Sequence, residues 1–247
     1  MILMRTIYWV VIAFFATLLG ALLLPVLWFL KLIRCNKLRQ SIISRYAHWW
    51  GRVVLAATGS KVTVRGLENI PSGPAVFMAN HLSIFDIMLL LGYIAKPIAF
   101  MAKKELAKVP VINSLMVEVG CLYLDREDVR QAAKVFRRGA EQLRRGLSMV
   151  IFPEGTRNLT GNIGDFKSGS MKLAMKADVP IVPVAIYGTR EIYEGSKKII
   201  TPSRIVLQVM PTISPEEYKD MGSTILASKV RDLVAAGWQQ IASEATI

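Results

Sequence analysis

A histidine and a carboxylate stand five residues apart in the segment Asn80–Asp86 (NHLSIFD). The segment follows the apolar, strand-like residues Ala75–Ala79 and precedes the apolar, helix-like residues Ile87–Leu91. This order places the His81 imidazole at a strand end and the Asp86 carboxylate in the first turn of a helix, from which it can reach one ring nitrogen. The other ring nitrogen is then fixed as a base, as general base catalysis requires.

A second loop has the composition of an anion-binding site. It is the segment Phe152–Arg157 (FPEGTR), which directly follows the strand-like residues Met149–Phe152. A strand end followed by Pro, Gly and Thr exposes backbone N–H groups, and the Arg157 guanidinium adds a planar cationic fork, so the loop suits a phosphate. The Glu154 carboxylate could accept a hydrogen bond from a substrate hydroxyl or hold Arg157 in place. The candidate phosphate-binding residues of this loop are Glu154, Gly155, Thr156 and Arg157.

Two further cations follow strand-like runs. Lys103 stands at a strand-to-helix junction in the segment Phe100–Leu106 (FMAKKEL), and Arg126 ends the segment Gly120–Arg126 (GCLYLDR). In an α/β sheet the loops at the carboxyl ends of strands line the ligand crevice, so both cations would gather beside His81. Several cations around one histidine predict an anionic substrate whose reacting group is an oxygen that carries a proton.

The elements that must position these residues alternate along the chain after residue 60. Strand-like runs are expected at Lys61–Val64, Ala75–Ala79, Ile98–Ala102, Cys121–Leu124, Met149–Phe152, Ile181–Ile186 and Ile205–Met210. Helix-like runs are expected at Asp86–Tyr93, Val111–Val119, Val129–Arg145, Ser170–Ala177 and Gly222–Ala242, with a short helix capped at Ser214. This alternation predicts an α/β domain over residues 61–247, with a largely parallel central sheet flanked by helices.

The first 60 residues have the composition of a membrane-associating segment. Ile7–Leu30 contains no charged side chain, and its helix would be about 36 Å long, against a hydrocarbon core of ~30 Å. The net charge is +13, and residues 1–67 contain nine Lys or Arg and no acid. Bases beside an apolar segment favour the cytoplasmic side and anionic lipid head groups. Nucleic acid is disfavoured as a partner, since no nucleic-acid module is visible.

Taken together, these segments resemble the glycerolipid acyltransferase family, in particular its bacterial 1-acyl-sn-glycerol-3-phosphate acyltransferases. The resemblance covers roughly residues 61–213 and rests on four blocks in the family's order: Asn80–Asp86, Gly120–Arg126, Phe152–Arg157 and Val179–Val184. It implies the glycerolipid acyltransferase fold. It also implies a catalytic role for the first block and contacts to the substrate phosphate for the second and third blocks and for Lys103. The fourth block is implied on the acyl-donor side, through Val179, Pro180, Ile181, Val182 and Pro183.

The resemblance further implies an activity. His81 would act as general base on the free sn-2 hydroxyl of 1-acyl-sn-glycerol 3-phosphate (lysophosphatidic acid), and Asp86 would orient it. An acyl-CoA or acyl-carrier-protein thioester would be the co-substrate, with phosphatidic acid as the product and with no further cofactor. The chain has no Gly-x-Ser-x-Gly motif and no cysteine beside His81, which favours direct attack without an acyl-enzyme. A metal at His81 is not expected, because further ligands at suitable spacing are missing.

The family resemblance permits a two-helix motif in one membrane leaflet. Length alone favours a membrane-spanning helix, but Pro25 and Trp28 interrupt its end, and a second, aromatic-rich helix is expected at Ser41–Ala57. We favour the single-leaflet motif over residues 1–60, with the α/β domain on the cytoplasmic face of the inner membrane. Cys35 and Cys121 lie far apart and are expected to be reduced thiols.

Two other functions remain open from the sequence. One is an acyltransferase for another acceptor, such as glycerol 3-phosphate or a different lysophospholipid. The other is a basic membrane-binding module without catalysis, for which His81 would be dispensable. The expected partners under the main interpretation are membrane lipids with anionic head groups, lysophosphatidic acid, and acyl-CoA or acyl carrier protein.

Overall fold

The computed structural model describes residues 2–125, 128–158 and 162–245. Within these ranges seven strands form one sheet: β1 (Lys61–Arg65), β2 (Val76–Ala79), β3 (Ile98–Lys103), β4 (Leu122–Leu124), β5 (Ser148–Ile151), β6 (Ile181–Tyr187) and β7 (Arg204–Val209). The α-helices in the same ranges are α1 (Ile2–Leu32), α2 (Asn36–Ala56), α3 (Phe85–Tyr93), α4 (Pro110–Val119), α5 (Val129–Arg144), α6 (Ser168–Ala177), α7 (Pro215–Tyr218) and α8 (Ser223–Ala245).

The strand order across the sheet is β1-β7-β6-β2-β5-β3-β4. The five strands from β6 to β4 run parallel, whereas β7 pairs with β6 in the antiparallel sense and with β1 in the parallel sense. The largely parallel α/β sheet expected from the sequence is therefore confirmed. The carboxyl ends of β2, β3, β4, β5 and β6 meet at one edge of the sheet, which is called the carboxyl edge below.

The centre of the sheet is buried on both faces. All four residues of β2 and all four of β5 are buried. Strands that are covered by helices on both faces are mostly apolar, which is why these runs show no polar alternation in the sequence. The polar exception, Ser148 of β5, accepts a hydrogen bond from the Ala75 N–H (3.2 Å). Because such strands have little freedom to shift, the loops that follow them hold fixed positions at the carboxyl edge.

The two N-terminal helices pack against each other and leave one side of α1 uncovered. Leu27 of α1 and Ile43 of α2 are fully buried in their contact. Phe14, Phe15 and Leu22 are each 60% exposed or more, and α1 is long and apolar enough to cross a membrane. This exposed apolar side indicates membrane association. The second helix begins at Asn36, five residues before its predicted start, because its polar first turn carries no apolar signal.

Helix α2 also packs closely on α3, the helix that carries Asp86. A Cβ atom on Gly51 would lie 2.6 Å from the Met88 carbonyl oxygen, so the two backbones touch where Gly51 lacks a side chain. The Arg52 Nε donates a hydrogen bond to the Gly92 carbonyl oxygen (2.6 Å). The N-terminal helices are thus packed on the α/β body, and the division of the chain into two domains at residue 60 stays a prediction.

Candidate active site

The predicted histidine–carboxylate pair is formed at the carboxyl edge. The His81 Nδ1 lies 2.8 Å from the Asp86 Oδ2, and the same oxygen accepts hydrogen bonds from the backbone N–H groups of Leu82 (2.7 Å) and Ser83 (2.9 Å). The Asp86 side chain is fully buried, whereas 14% of the His81 side chain is exposed. Because the carboxylate can only accept, Nδ1 carries the proton and Nε2 is left as the basic nitrogen.

The second oxygen of Asp86 is bonded by a residue that sequence reasoning missed. The Thr189 hydroxyl donates a hydrogen bond to the Asp86 Oδ1 (2.5 Å), and Thr189 is fully buried. Thr189 follows β6, the strand beside β2. Asn80 joins the carboxyl ends of these two strands. Its side-chain Nδ2 donates a hydrogen bond to the Ile186 carbonyl oxygen (2.9 Å), and its Oδ1 accepts one from the Ile186 N–H (2.8 Å). The sequence feature that could have indicated Thr189 as a site residue is its position just after an apolar strand.

The His81 ring is also held by an aromatic neighbour. Phe152, the first residue after β5, stacks on the imidazole with ring centroids 4.0 Å apart and an interplanar angle of 15°. The ring plane is therefore fixed by stacking, while the Asp86 hydrogen bond fixes its rotation. Together these contacts aim Nε2 in one direction.

Glu154 has a different set of contacts from the ones predicted. Its Oε1 accepts a hydrogen bond from the His81 backbone N–H (2.8 Å), and its Oε2 accepts one from the Gly164 N–H (3.1 Å). Of the two roles expected for Glu154, holding Arg157 is wrong, because Arg157 pairs with another carboxylate, and accepting a hydrogen bond from a substrate hydroxyl stays a prediction. A buried anion bonded to the backbone on both oxygens is poorly suited to bind a phosphate, and it instead fixes the chain at His81.

The turn after Glu154 brings a lysine to the loop. Gly155 has φ +77°, a conformation that favours glycine, and a Cβ atom there would lie 2.8 Å from the Lys167 Nζ. The Lys167 N–H donates to the Pro153 carbonyl oxygen (3.0 Å). Thr156 and Arg157 are exposed beside them. A further cation, Lys167, therefore lies beside the predicted anion-binding loop, and it was not among the predicted site residues.

Arg157 is paired with Glu194. The guanidinium NH1 lies 2.9 Å from the Glu194 Oε1, with the arginine side chain 50% exposed and the glutamate side chain 9% exposed. Glu194 also accepts hydrogen bonds from the Ser83 hydroxyl (2.5 Å) and the Ile84 N–H (3.1 Å). Glu194 was not predicted as a site residue, because it lies in no recognisable motif, 110 to 111 positions from Ile84 and Ser83 and 37 positions from Arg157.

The two remaining predicted cations follow β3 and β4. Lys103 ends β3 at the carboxyl edge, with 59% of its side chain exposed and its Nζ 3.4 Å from the Glu105 Oε1. Arg126 lies outside the described residues. The preceding residue, Asp125, follows β4 and lies 2.5 Å from the Lys104 Nζ, so the chain reaches the carboxyl edge just before Arg126.

The predicted donor-side residues 179–183 are not brought to His81. In the register of the sheet, Ile181 pairs with Val76 and Val184 pairs with Ala79, so these residues lie at the amino end of β6. Val179 is five residues before Val184, which is about 16 Å along a strand. Ile181 and Val182 are fully buried in the core. A direct contact with a donor at His81 is not favoured by this placement, and their role stays a prediction.

Comparison with known proteins relates this site to acyl transfer. A model of the Acyltransferase family matches residues 61–187. The 1-acyl-sn-glycerol-3-phosphate acyltransferase of Borreliella burgdorferi is 32% identical over 186 residues, which cover 74% of this chain and 74% of that protein. The probable 1-acyl-sn-glycerol-3-phosphate acyltransferase of Mycoplasma genitalium is 31% identical over 211 residues, 81% of this chain and 77% of that protein.

A solved structure extends the similarity to nearly the whole chain. The crystal structure of the 1-acyl-sn-glycerophosphate acyltransferase PlsC from Thermotoga maritima matches with a TM-score of 0.81 and 29% sequence identity, and the match covers 97% of this chain and 95% of that one. The family match includes His81, Asp86 and Arg157. It ends two residues before Thr189 and therefore leaves out Glu194.

Proposed function

Because the chain belongs to the acyltransferase family, we propose that it transfers an acyl chain from a thioester to the sn-2 hydroxyl of 1-acyl-sn-glycerol 3-phosphate. The product is phosphatidic acid, a precursor in phospholipid biosynthesis. The observation that carries this proposal is the pairing of a partly exposed His81 with a buried Asp86 on the sheet edge that also holds Lys103 and Arg157. A base and a phosphate site on one edge suit an acceptor that has both a hydroxyl and a phosphate.

The reaction needs one proton transfer and one acyl transfer. The Nε2 of His81 takes the proton of the sn-2 hydroxyl as that oxygen attacks the thioester carbonyl. The new C–O bond forms, the C–S bond breaks, and the imidazolium returns its proton to the leaving thiolate. Asp86 stabilises the imidazolium through Nδ1. A positioned base contributes typically about 10²–10⁴-fold, and orientation of the two substrates supplies much of the remaining acceleration.

The acyl chain passes directly from donor to acceptor in this proposal. Burial raises the pKa of the Cys121 thiol to about 12, which keeps it neutral and unreactive near pH 7. Cys35 is an exposed residue between α1 and α2 and has no contact with His81 among the described residues. The donor is an acyl-CoA or an acyl-carrier-protein thioester, which present the same reacting bond.

The acceptor phosphate is held by the exposed cations of the carboxyl edge. Arg157 supplies a planar fork, Lys103 a point charge, and Thr156 and Gly155 lie in the same loop. Arg126 joins them in this proposal because the family resemblance implies a phosphate contact for its block. The acceptor comes from the inner membrane, on whose cytoplasmic face the exposed apolar side of α1 and the bases of residues 1–67 hold the enzyme.

The proposal is tested with the purified full-length enzyme in vesicles. Lysophosphatidic acid is compared with glycerol 3-phosphate and with a lysophospholipid that lacks a phosphomonoester, each with acyl-CoA and acyl-carrier-protein donors. We expect transfer to lysophosphatidic acid and a loss of activity of at least about 10²-fold in His81→Ala. The chain's other histidine provides the control, because His48 contacts the Leu91 carbonyl oxygen (3.1 Å) at the α2–α3 contact.

The outcomes separate the alternatives. His48→Ala should keep its activity within about threefold, since His48 takes no part in the proton transfer. Faster transfer to glycerol 3-phosphate than to lysophosphatidic acid would replace the proposed acceptor. Full activity in His81→Ala would remove the catalytic assignment and favour a non-catalytic membrane-binding module.

A further inference from the structure

The segment Thr189–Glu194 contributes to the site the fully buried side chain of Thr189 and the 9% exposed side chain of Glu194, although it lies beyond the part of the chain that matches the family model. It follows β6 at the carboxyl edge. Its first residue bonds Asp86, and its last residue, Glu194, contacts both the loop between His81 and Asp86 and the side chain of Arg157. The segment therefore joins the base and the proposed phosphate site.

The Glu194 carboxylate is held in place independently of Arg157. The Ser83 hydroxyl donates to its Oε2 (2.5 Å) and the Ile84 N–H donates to its Oε1 (3.1 Å). Ser83 and Ile84 belong to the loop that connects His81 to Asp86, and the Ser83 N–H bonds Asp86 directly (2.9 Å). The position of Glu194 is thus fixed by the same short loop that orients His81.

Arg157 is the more exposed partner of this pair. Half of its side chain is exposed, whereas the Glu194 side chain is 9% exposed. A free arginine loses rotamer freedom when it binds a ligand, and an arginine that is already paired through one nitrogen has lost much of that freedom beforehand. The guanidinium has five N–H donors, so a bond from NH1 to Glu194 leaves donors for a phosphate.

A carboxylate near a phosphate site also repels the phosphate, and the burial of the two groups decides which effect is larger. An incoming phosphate meets the half-exposed guanidinium before it meets the less exposed Glu194 carboxylate. The contact with the guanidinium is short and charge-assisted, whereas the repulsion acts over a longer distance and is screened by solvent. Orientation of Arg157 therefore outweighs repulsion.

We propose that Glu194 is a positioning residue that holds the Arg157 guanidinium at a fixed place relative to His81, ready for the acceptor phosphate. The inference rests on the proposed function, since it explains how the same acceptor is bound. Glu194 does not touch the reacting atoms, and its effect on the reaction is exerted through Arg157. The acceptor is thereby held with its sn-2 hydroxyl at the Nε2 of His81.

The test is a double-mutant cycle of Glu194→Gln and Arg157→Ala, with acceptor KM, donor KM and kcat measured for each variant. The glutamine keeps the shape of the side chain but removes the charge that holds Arg157. We expect Glu194→Gln to raise the acceptor KM about 3- to 10-fold, the cost of ordering a long side chain on binding, with kcat and donor KM within about twofold. In the Arg157→Ala background the same change should raise the acceptor KM no further.

The control is Glu191→Gln, which removes an equal charge from the same segment. Glu191 pairs with the neighbouring Arg190 (3.2 Å), so its replacement should leave all three constants unchanged. An acceptor KM that falls or stays constant in Glu194→Gln, or an increase that multiplies with that of Arg157→Ala, would overturn the inference while the proposed function stands. A wild-type enzyme without transfer to lysophosphatidic acid would overturn the proposed function and this inference together.

Discussion

The imidazole of His81 is fixed by contacts of three kinds. Asp86 bonds its Nδ1, Phe152 stacks on its face, and Glu154 bonds its backbone N–H. Each contact comes from a different part of the chain, namely from the start of α3, the end of β5 and the loop that follows β5. If His81 is the base, as proposed, an imidazole fixed in this way loses little free energy in reorienting when the hydroxyl arrives.

Thr189 offers a direct test of this arrangement. Replacement by valine keeps the shape of the side chain but removes the hydroxyl that bonds the Asp86 Oδ1 (2.5 Å). A hydrogen bond to a buried charged group is worth about 1.5–3 kcal/mol, so we expect kcat to fall about 10- to 100-fold with the acceptor KM unchanged. Steady-state kinetics in vesicles measure both constants.

The matched control for this change is Thr189→Ser, which keeps the hydroxyl and loses only a methyl group. Its kcat should stay within a few-fold of wild type. Equal losses in Thr189→Val and Thr189→Ser would assign the effect to packing at this buried position, and a fully active Thr189→Val would show that Asp86 needs no second support.

The close contact of α2 with α3 determines where the loop between His81 and Asp86 ends, because this loop runs from β2 to α3. Gly51 lies against the backbone of α3, and a Cβ atom there would lie 2.6 Å from the Met88 carbonyl oxygen and 2.7 Å from the Gly92 nitrogen. Backbone atoms cannot move aside as a flexible side chain can. Helix α3 therefore keeps its place only while position 51 has no side chain.

Gly51→Ala tests this contact. Replacement of glycine inside a helix usually stabilises by ~1 kcal/mol, but overpacking against a backbone costs about 1–3 kcal/mol, so a lower melting temperature and a lower kcat are expected. Gly169 of α6 is the control, because a Cβ atom there would meet no atom within 4 Å. If Gly169→Ala destabilised the enzyme as much as Gly51→Ala, close approach of α2 to α3 would not be the cause.

Most strands and helices could be predicted because their signal is local. The doubly buried β2 and β5 read as short apolar runs, and the Ser214 capping box was recognised from four residues and is present in the structure. The antiparallel placement of β7 beside β6 could not be predicted, because strand direction depends on pairing across the chain rather than on local pattern.

The candidate site was predictable only in part for the same physical reason. His81 and Asp86 lie in one short segment, so their contact follows from spacing. Thr189 and Glu194 reach the same loop from 103 to 111 positions away, and nothing in their neighbouring residues indicates that contact. The expected contact of Glu154 with Arg157 was wrong for a similar reason, since the partners of Glu154 are backbone N–H groups that a sequence does not display.

At the scale of the whole molecule, the exposed apolar side of α1 sets how the enzyme meets lipid. Phe14, Phe15 and Leu22 are 61%, 60% and 67% exposed. Burying one such side chain contributes about 1.5–3 kcal/mol. The triple change to serine should therefore lower the partition into lipid vesicles by about tenfold or more for each position, as measured by vesicle co-sedimentation.

The control is Ile225→Ser on α8, where an apolar side chain is 65% exposed as well. This variant should bind vesicles like wild type, because membrane association depends on the position of the apolar side chain rather than on its exposure alone. If the triple variant of α1 still bound vesicles fully, another surface would be the membrane-binding one.

The contact between α2 and α3 has a consequence for how substrates are presented. Because α1 packs on α2 and α2 packs on the helix that carries Asp86, the base stands at a set height above whatever depth the N-terminal helices adopt in the lipid. In the proposed reaction, this packing therefore fixes the height of His81 relative to the bilayer. An acceptor whose free hydroxyl rests deeper or shallower than this height must leave its resting depth to react, so the lipid packing around the substrate becomes part of the selectivity.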